Sequence, residues 1–470
     1  MGNNITKQNS LLDNNHICII TMIIGLAYFL EWVDAYALCT ALVPIAHEFH
    51  TDPINMKEAL TVYLISAGMF IPISTWVAER YGLSLVYRYA ILVFLLGSIG
   101  AAVSPNTTIL IIFRFIQGVG GAFLTPLGRL IMLHLFGKDR IPEAMAKITV
   151  VSTLGMVVGP LLGGALTTWL SWRWVFIINI PFGFAGFILT GRYLPSFQTK
   201  IKQVALDYRG FILLGGSFAL LLFIFDIIPI STISTSFKIS GIVTSLFLFC
   251  GYCINSYYTK YPLYPSIIFN RRFSLSLFGS FLTRLGISAP VFLVPLLLQA
   301  SYHYTAFEAG STLVPTALGV LLGKKVLKNV MKHSPKHVIL YLLCFLNTIS
   351  LLSLGFLSTH LSPIVLVIAM FFFGLVMSMQ QTAMNTHIYK LCDKVHYGAA
   401  VSGNSVVIQL SASFSIAIAG MCLMLNVGNF LSMHNIEAYA FYFTFKIIAL
   451  FPLIAWFIFW LSEKRNEIRT

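Results

Sequence analysis

Residues 1–16 (MGNNITKQNSLLDNNH) are polar, and beyond them long apolar stretches alternate with short polar segments. An α-helix needs about 20 mainly apolar residues to cross the hydrocarbon of a bilayer. Stretches of that kind fall at 17–46, 57–77, 87–104, 108–134, 143–169, 174–194, 208–228, 234–258, 273–300, 306–330, 337–357, 362–386, 398–424 and 437–462. The pattern predicts an all-α polytopic membrane protein with about 14 transmembrane helices. The 208–258 pair also reads as one span plus a re-entrant piece. The first apolar run is too long for a signal peptide and lacks a small-residue cleavage site, so it is expected to remain as the first helix.

Composition agrees with the pattern. Of 470 residues, 57% are apolar and 10% charged, against roughly 25% charged in soluble domains. So few charges exclude a soluble enzyme, a nucleic-acid-binding protein and a disordered scaffold. The net charge of +14, from 30 Lys+Arg and 16 Asp+Glu, is then a matter of topology. With the N-terminus in the cytoplasm, 24 of the 30 basic residues fall on cytoplasmic segments. Lys57, Arg173 and Lys238 fall on outer ends, and Arg114, Arg284 and Lys446 at membrane depth. That bias satisfies the positive-inside rule and places both termini in the cytoplasm.

The longest cytoplasmic connections, 195–207 and 259–272, flank the 208–258 pair. The expected organisation is a tail (1–16), a six-helix bundle (17–194), an inserted two-helix region (195–272), a second six-helix bundle (273–462) and a cytoplasmic tail (463–470). Two equal halves with a substrate site at their interface is a recurring plan of secondary transporters. The connections are too short for a soluble catalytic domain, so no enzymatic activity is expected. Cys250 and Cys253 sit inside an apolar helical run without a second His or Cys pair, and read as packing residues.

Ionisable groups at membrane depth are expensive and therefore functional candidates. Glu31 and Asp34, in YFLEWVDAY, are three apart and share a helical face. Two carboxylates so close in low dielectric resist ionising together, which suits a group that gains and loses a proton. The alternative is an interhelical ion pair that fixes packing. In LIIFRFIQGVGGAFLTPLGRL, Arg114 needs a buried acceptor and a first-helix carboxylate lies at similar depth, with Gln117 one turn on. Gly118, Gly120 and Gly121 allow close helix approach. GMVVGPLLGG places Gly155, Gly159, Pro160, Gly163 and Gly164 on a helix that packs tightly and kinks.

Other positions read in two ways. Arg284 either contacts an anionic substrate or pairs with a polar neighbour. Gln380, Gln381 and Asn385 either line a cavity or join helices. Lys446 reads as snorkelling to the outer surface, and Asp226 as a solvated helix end. No G-x-x-x-x-G-K-[ST] loop is present, so no ATP site, cofactor or metal is expected.

These residues resemble a family. Arg114 with Gln117-Gly118 matches the R-x-x-Q-G motif of the major facilitator superfamily, and Gly155 to Gly164 its G-x-x-x-G-P-x-x-G-G antiporter motif. WRWVFIINIPFG, Trp172 to Gly183, is similar to the signature of the fourteen-helix EmrB/QacA drug:proton branch. Within that branch the chain is most similar to MdtD-type transporters, through FIQGVGGAFLTPLGRL, GSFLTRLG around Arg284, AMNT at Ala383 to Thr386 and SGNSVVIQLS at Ser402 to Ser411. The resemblance implies that Asp34 holds the place of the branch's first-helix aspartate. It further implies that Arg114 assists proton transfer, and that Gly159 and Pro160 form the hinge favouring export. The loop after the second helix departs from the family latch G-x-L-A-D-R-x-G-R-R. Glu79, Arg80 and Gly82 remain, Thr75 and Leu83-Ser84 are substitutions, and Arg88 is a partial replacement.

The expected function is proton-driven export of small organic compounds across a bacterial cytoplasmic membrane by alternating access. Asp34, Glu31 and Arg114 would couple the proton, and Gln117, Arg284, Gln381 and Asn385 would line the cavity. Its partners would be substrate, protons and lipid, with no nucleic acid and the chain acting as a monomer; the residues say nothing of a periplasmic adaptor. The alternatives are a dedicated carrier of one metabolite, such as an organic anion or siderophore, and a non-transporting sensor or assembly factor.

Overall fold

The computed structural model describes residues 14–53, 56–136, 141–194, 206–228, 230, 233–259, 262–263, 271–333, 336–359, 362–391, 397–427 and 438–467. They form helices α1 (Asn14–Glu48), α2 (Lys57–Tyr81), α3 (Leu83–Ala102), α4 (Thr107–Phe136), α5 (Ile141–Trp169), α6 (Trp174–Ile177), α7 (Asn179–Tyr193) and α8 (Tyr208–Ile227). The chain continues through α9 (Thr235–Tyr258), α10 (Arg271–Ala300), α11 (Ala306–Ser311), α12 (Val314–His333), α13 (Lys336–Thr359), α14 (Pro363–Lys390), α15 (Tyr397–Val427) and α16 (Ala438–Glu467). No strand occurs among the described residues.

The apolar stretches locate these helices to within a few residues, with two differences. The stretch 174–194 is divided between α6 and α7, and 306–330 between α11 and α12. In both, a proline just beyond the break, Pro181 or Pro315, has no N–H to give to the carbonyl four residues back. The 208–258 pair is two full helices of 20 and 24 residues, not one span with a re-entrant piece. Among the described residues, 12 helical segments are long and apolar enough to cross a membrane.

Glycine contacts fix the helix directions. A Cβ on Gly155, Gly159 or Gly163 of α5 would meet Phe29, Val33 or Ala37 of α1 in turn, so α1 and α5 run parallel. Gly279 and Gly286 of α10 face Phe459 and Pro452 of α16, so that pair is antiparallel. The end of α10 reaches the end of α1 through Gln299, whose Nε2 donates to the Thr40 carbonyl at 3.3 Å. The starts of α1 and α10 and the end of α16 therefore share one end of the bundle, here called basal, and the opposite end is distal.

The distal end is closed. One apolar cluster runs from Leu42 and Leu60 in the first half to Phe292, Leu313 and Phe441 in the second. Gly164 lies against the Ala306 carbonyl, Gly310 against the Pro160 carbonyl, and the Phe307 N–H donates to Thr168 Oγ1 at 3.2 Å. Lys57, expected at an outer end, is instead buried, with its aliphatic chain pressed on Gly420 of α15. The helix start that carries it is covered by the other half.

α8 and α9 pair with each other, and α8 packs along α2 and α15, beside the seam between the halves. Ser217 and Ser245 exchange hydroxyl-to-carbonyl bonds of 2.9 Å, and Asp207 caps α8 while accepting from Asn255 Nδ2 at 2.9 Å. Cys250, read as a packing residue, is exposed on α9, whereas Cys253 is half-buried. Most of α9 faces away from the bundle, so a small apolar side chain there meets lipid instead of protein.

Two glycines test different constraints. Gly118 sits where any Cβ would overlap Ser66 Oγ and the Tyr63 carbonyl of α2. Gly118→Val should destabilise the protein by about 1–3 kcal/mol, read as a lowered thermal midpoint in detergent. Gly82, between α2 and α3, has φ +96° and nothing within 4 Å of where a Cβ would stand. Gly82→Ala should cost about 1–3 kcal/mol through backbone strain alone, because φ +96° with ψ 131° is a conformation essentially confined to glycine.

Candidate functional site

Asp34 lies near the middle of α1, with no solvent exposure. A buried carboxylate persists only if paired and hydrogen-bonded, and the surrounding helices supply donors. Arg114 of α4, also fully buried, donates from Nη1 to Asp34 Oδ2 at 2.5 Å. Gln117 Nε2 reaches Oδ1 at 3.0 Å, and Asn179 Nδ2 of α7 reaches the same oxygen at 2.9 Å.

Arg114 is held in turn. Its Nη1 donates to Gln117 Oε1 at 2.5 Å and its Nε to the Ala59 carbonyl of α2 at 3.0 Å. The guanidinium stacks 4.4 Å from the Tyr63 ring centroid and 5.7 Å from that of Phe176. Gln117 Nε2 also donates to Ser98 Oγ of α3 at 2.8 Å, and the Ser98 hydroxyl donates to the Phe94 carbonyl at 3.1 Å. Residues from α1, α2, α3, α4 and α7 thus converge on one carboxylate.

Local sequence makes this convergence possible. Gly118, Gly120 and Gly121 sit against Ser66, Phe94 and Tyr63, so α4 is wedged between α2 and α3 at the level of Arg114. At the distal end Glu48 accepts from Trp172 Nε1 at 2.7 Å and from Arg173 Nη1 at 2.6 Å. That clamp ties the end of α1 to the segment just before α6. From there the chain turns back along α1 and brings Asn179 to Asp34.

Every side chain that hydrogen-bonds Asp34 among the described residues is a donor. A protonated Asp34 would carry an O–H that neither the guanidinium nor the two amide nitrogens can accept. Proton binding therefore requires at least one of these contacts to break or an amide to rotate. Asn179 Oδ1 has no hydrogen-bond partner among the described residues, so rotation of its amide would offer an acceptor.

Glu31 makes no hydrogen bond within this group. It accepts from Thr125 Oγ1 at 2.5 Å, one turn closer to the basal end than Asp34. The structure thus brings Asp34, Arg114 and Gln117 together and leaves Glu31 in a distinct setting. Gln117, expected in the cavity lining, is fully buried inside the Asp34 group.

In the second half, Arg284 of α10 pairs with polar neighbours: Nη2 donates to Asn385 Oδ1 at 2.9 Å and Nε to Ser280 Oγ at 3.1 Å. Asn404 Nδ2 of α15 donates to the same Asn385 oxygen at 2.8 Å. Gln381 is half-buried, while Gln380 turns to Cys344 Sγ at 3.3 Å, so the three α14 polar residues do not form one face. Lys446 is exposed, its Nζ 4.0 Å from the Tyr442 ring centroid one turn toward the distal end, in a snorkelling posture.

Gly155, Gly159 and Gly163 seat α5 on α1, while Pro160 and Gly164 of the same string touch Gly310 and Ala306 of the second half. Arg80 is exposed over the Trp76 ring at 5.7 Å, and Arg88 is turned inward over Phe187 at 4.3 Å, against Gly191. Arg88 thus packs between α3 and α7. The side chains of Glu79 and Asp226 lie outside the described residues.

Asn179, Ser98 and Tyr63 were not singled out from the sequence. Asn179 was within reach, since it lies inside WRWVFIINIPFG, whereas Ser98 and Tyr63 sit in ordinary helical stretches.

Helices long enough to span a bilayer, a closed distal seam and buried charge groups in both halves define a multi-pass membrane transporter. Residues 24–416 match the Major Facilitator Superfamily, and the chain belongs to that family. It is 30% identical over 437 residues to the probable transport protein HsrA of Haemophilus influenzae, covering 92% of this chain and 93% of that protein. It is 31% identical to the putative multidrug resistance protein MdtD of Serratia proteamaculans, covering 85% and 84%. Among solved structures it is similar in fold to the peptide transporter POT in complex with sulfate, with a TM-score of 0.68, 17% identity and coverage of 95% and 94%. A crystal structure of the nucleoside transporter NupG gives a TM-score of 0.65 at 12% identity, covering 94% and 99%.

Removing one member of the buried pair should cost more than removing both. Arg114→Ala leaves Asp34 buried and unpaired, with an expected loss of about 3–5 kcal/mol. The double variant Asp34→Asn/Arg114→Gln should recover much of that stability. Thermal denaturation in detergent of the single variants and the double variant measures the difference.

Proposed function

We propose that this protein is a proton-coupled exporter of small organic compounds, working by alternating access with Asp34 as its proton site. The observation that carries the reading is the all-donor shell of Asp34. A carboxylate whose present hydrogen-bond partners all donate holds one arrangement of α1, α3, α4 and α7 while ionised, and protonation breaks one of those contacts or turns an amide. The proton is thereby coupled to helix movement. The relatives named as multidrug resistance proteins support an organic substrate and the export direction.

In this reading the chain crosses the membrane fourteen times, with α2 and α5 added to the 12 apolar segments and the short α6 and α11 joined to their neighbours. Residues 17–194 and 273–462 are the two six-helix halves, and 195–272 is the inserted pair. The basal end faces the cytoplasm of a bacterium, because the basic residues concentrate there. The proton gradient drives the cycle without ATP or another cofactor. About 2.3 kcal/mol per charge for each 100 mV, with about 1.4 kcal/mol more per pH unit, is sufficient for uphill export. Arg284, Asn385 and the half-buried Gln381 face substrate from the second half, and the chain acts as a monomer.

Reconstituted in liposomes, the protein should move protons against a supplied substrate such as an organic cationic dye, read by a pH-sensitive fluorophore in the lumen. Asp34→Asn should abolish the pH-driven component while leaving substrate binding within a few-fold. Intact pH-driven transport in Asp34→Asn would remove Asp34 from the coupling step.

A further inference from the structure

Arg129 of α4 lies seven residues from that helix's basal end, about 10 Å inside it at helical rise. Its Nη1 donates to Ser405 Oγ of α15 at 3.4 Å, across the seam between the halves. Two other hydrogen bonds across that seam, from Gln299 to Thr40 and from Phe307 to Thr168, lie at the distal end. The Arg129 bond is at the long limit for an N–H···O contact.

On its own side, Arg129 is within electrostatic reach of Glu31 and Tyr28 of α1. Its position is fixed there because Gly128 seats α4 on Tyr28 and Ile24, and because the Tyr28 hydroxyl donates to the Thr125 carbonyl at 2.5 Å. Ser405 follows Asn404, which is bonded to Asn385 and through it to Arg284. Arg129 therefore stands between the acidic group of the first half and the basic group of the second.

We propose that Arg129 is the positioning residue through which Glu31 controls the basal contact between the halves. An ionised Glu31 holds the guanidinium on α1 and weakens its reach to Ser405. A protonated Glu31 releases that hold, and Arg129 closes on Ser405. By linkage, closure of the basal end then favours protonation of Glu31 and opening favours release. A proton taken up while the distal end is open would be discharged at the basal end. Among the described residues, the titratable and charged groups that interact electrostatically with Glu31 are Asp34 and Tyr28 on its own helix, Arg129 on α4, Tyr63 on α2 and Tyr87 on α3. Of these, Arg129 is the one that bonds to the second half. The inference rests on the alternating-access reading above but not on Asp34 being the transported proton's site.

The test is a spin-label distance across the basal end of the full-length chain in lipid nanodiscs, with native cysteines replaced by serine and labels at Tyr81→Cys and Lys325→Cys, both exposed positions. The distance distribution should shift between about pH 8 and about pH 5, and Glu31→Gln should hold the low-pH distribution at both. A charge-assisted hydrogen bond supports a change of about tenfold in the ratio of the two populations. Arg129→Ala and Ser405→Ala should each remove most of the shift, Arg129→Lys should restore part of it, and Asp34→Asn should leave it in place. The proposal is overturned if the shift survives in well-folded Arg129→Ala and Ser405→Ala, if it follows Asp34 instead of Glu31, or if the native pair shows none. Loss of coupling in the liposome assay is read separately, so failure of the Asp34 assignment is distinguishable from failure of this one.

Discussion

A carboxylate without access to water must be given donors by the protein, and in this chain that requirement organises the first half. Asp34 has no solvent exposure, and Arg114, Gln117 and Asn179 reach it together. They come from two helices packed against α1, with Ser98 and the Ala59 carbonyl steadying them from two more. The glycines of α4 follow from the same demand, because only a backbone without side chains lets α4 sit close enough to α2 and α3. The result is a site fitted to one protonation state of its carboxylate.

The two halves differ in what they bury. The first holds an acid satisfied by donors, and the second holds Arg284 among neutral amide and hydroxyl groups. They meet in two chemically distinct ways. At the distal end the contact is glycine against carbonyl, as at Gly164 with Ala306 and Gly310 with Pro160, plus a broad apolar cluster. Such a surface packs tightly yet contains few directional bonds, so it can part without leaving many polar groups unsatisfied. Toward the basal end, the contact at Arg129 is a polar one with a charged donor, open to control by nearby ionisation.

Much of this is legible from the order of residues. The helices, the buried first-helix acid, its arginine partner and the small-residue string of α5 all follow from hydropathy and from the cost of charge in lipid. Glu31 and Asp34 show the limit. Their spacing of three places them on one face of α1, but it does not reveal that Thr125 meets Glu31 while Arg114 meets Asp34. Spacing on one helix sets direction, while the residues that meet each side chain belong to other helices. Gln117 illustrates the same point, since a polar residue in a membrane helix is equally consistent with a cavity wall and with a buried bridge.

Residue order alone indicates the membrane class, the approximate places of the apolar helices and the short set of charges that hydrocarbon would not tolerate without a reason. Those are properties of solvation, and solvation acts residue by residue along a chain. It took the packed bundle to establish that Asn179 completes the Asp34 shell, that Lys57 is buried against Gly420, and that Arg129 spans the seam to Ser405. Each of these joins residues far apart in the chain. The packing of helices, which no local pattern encodes, selects among many partners of similar chemistry.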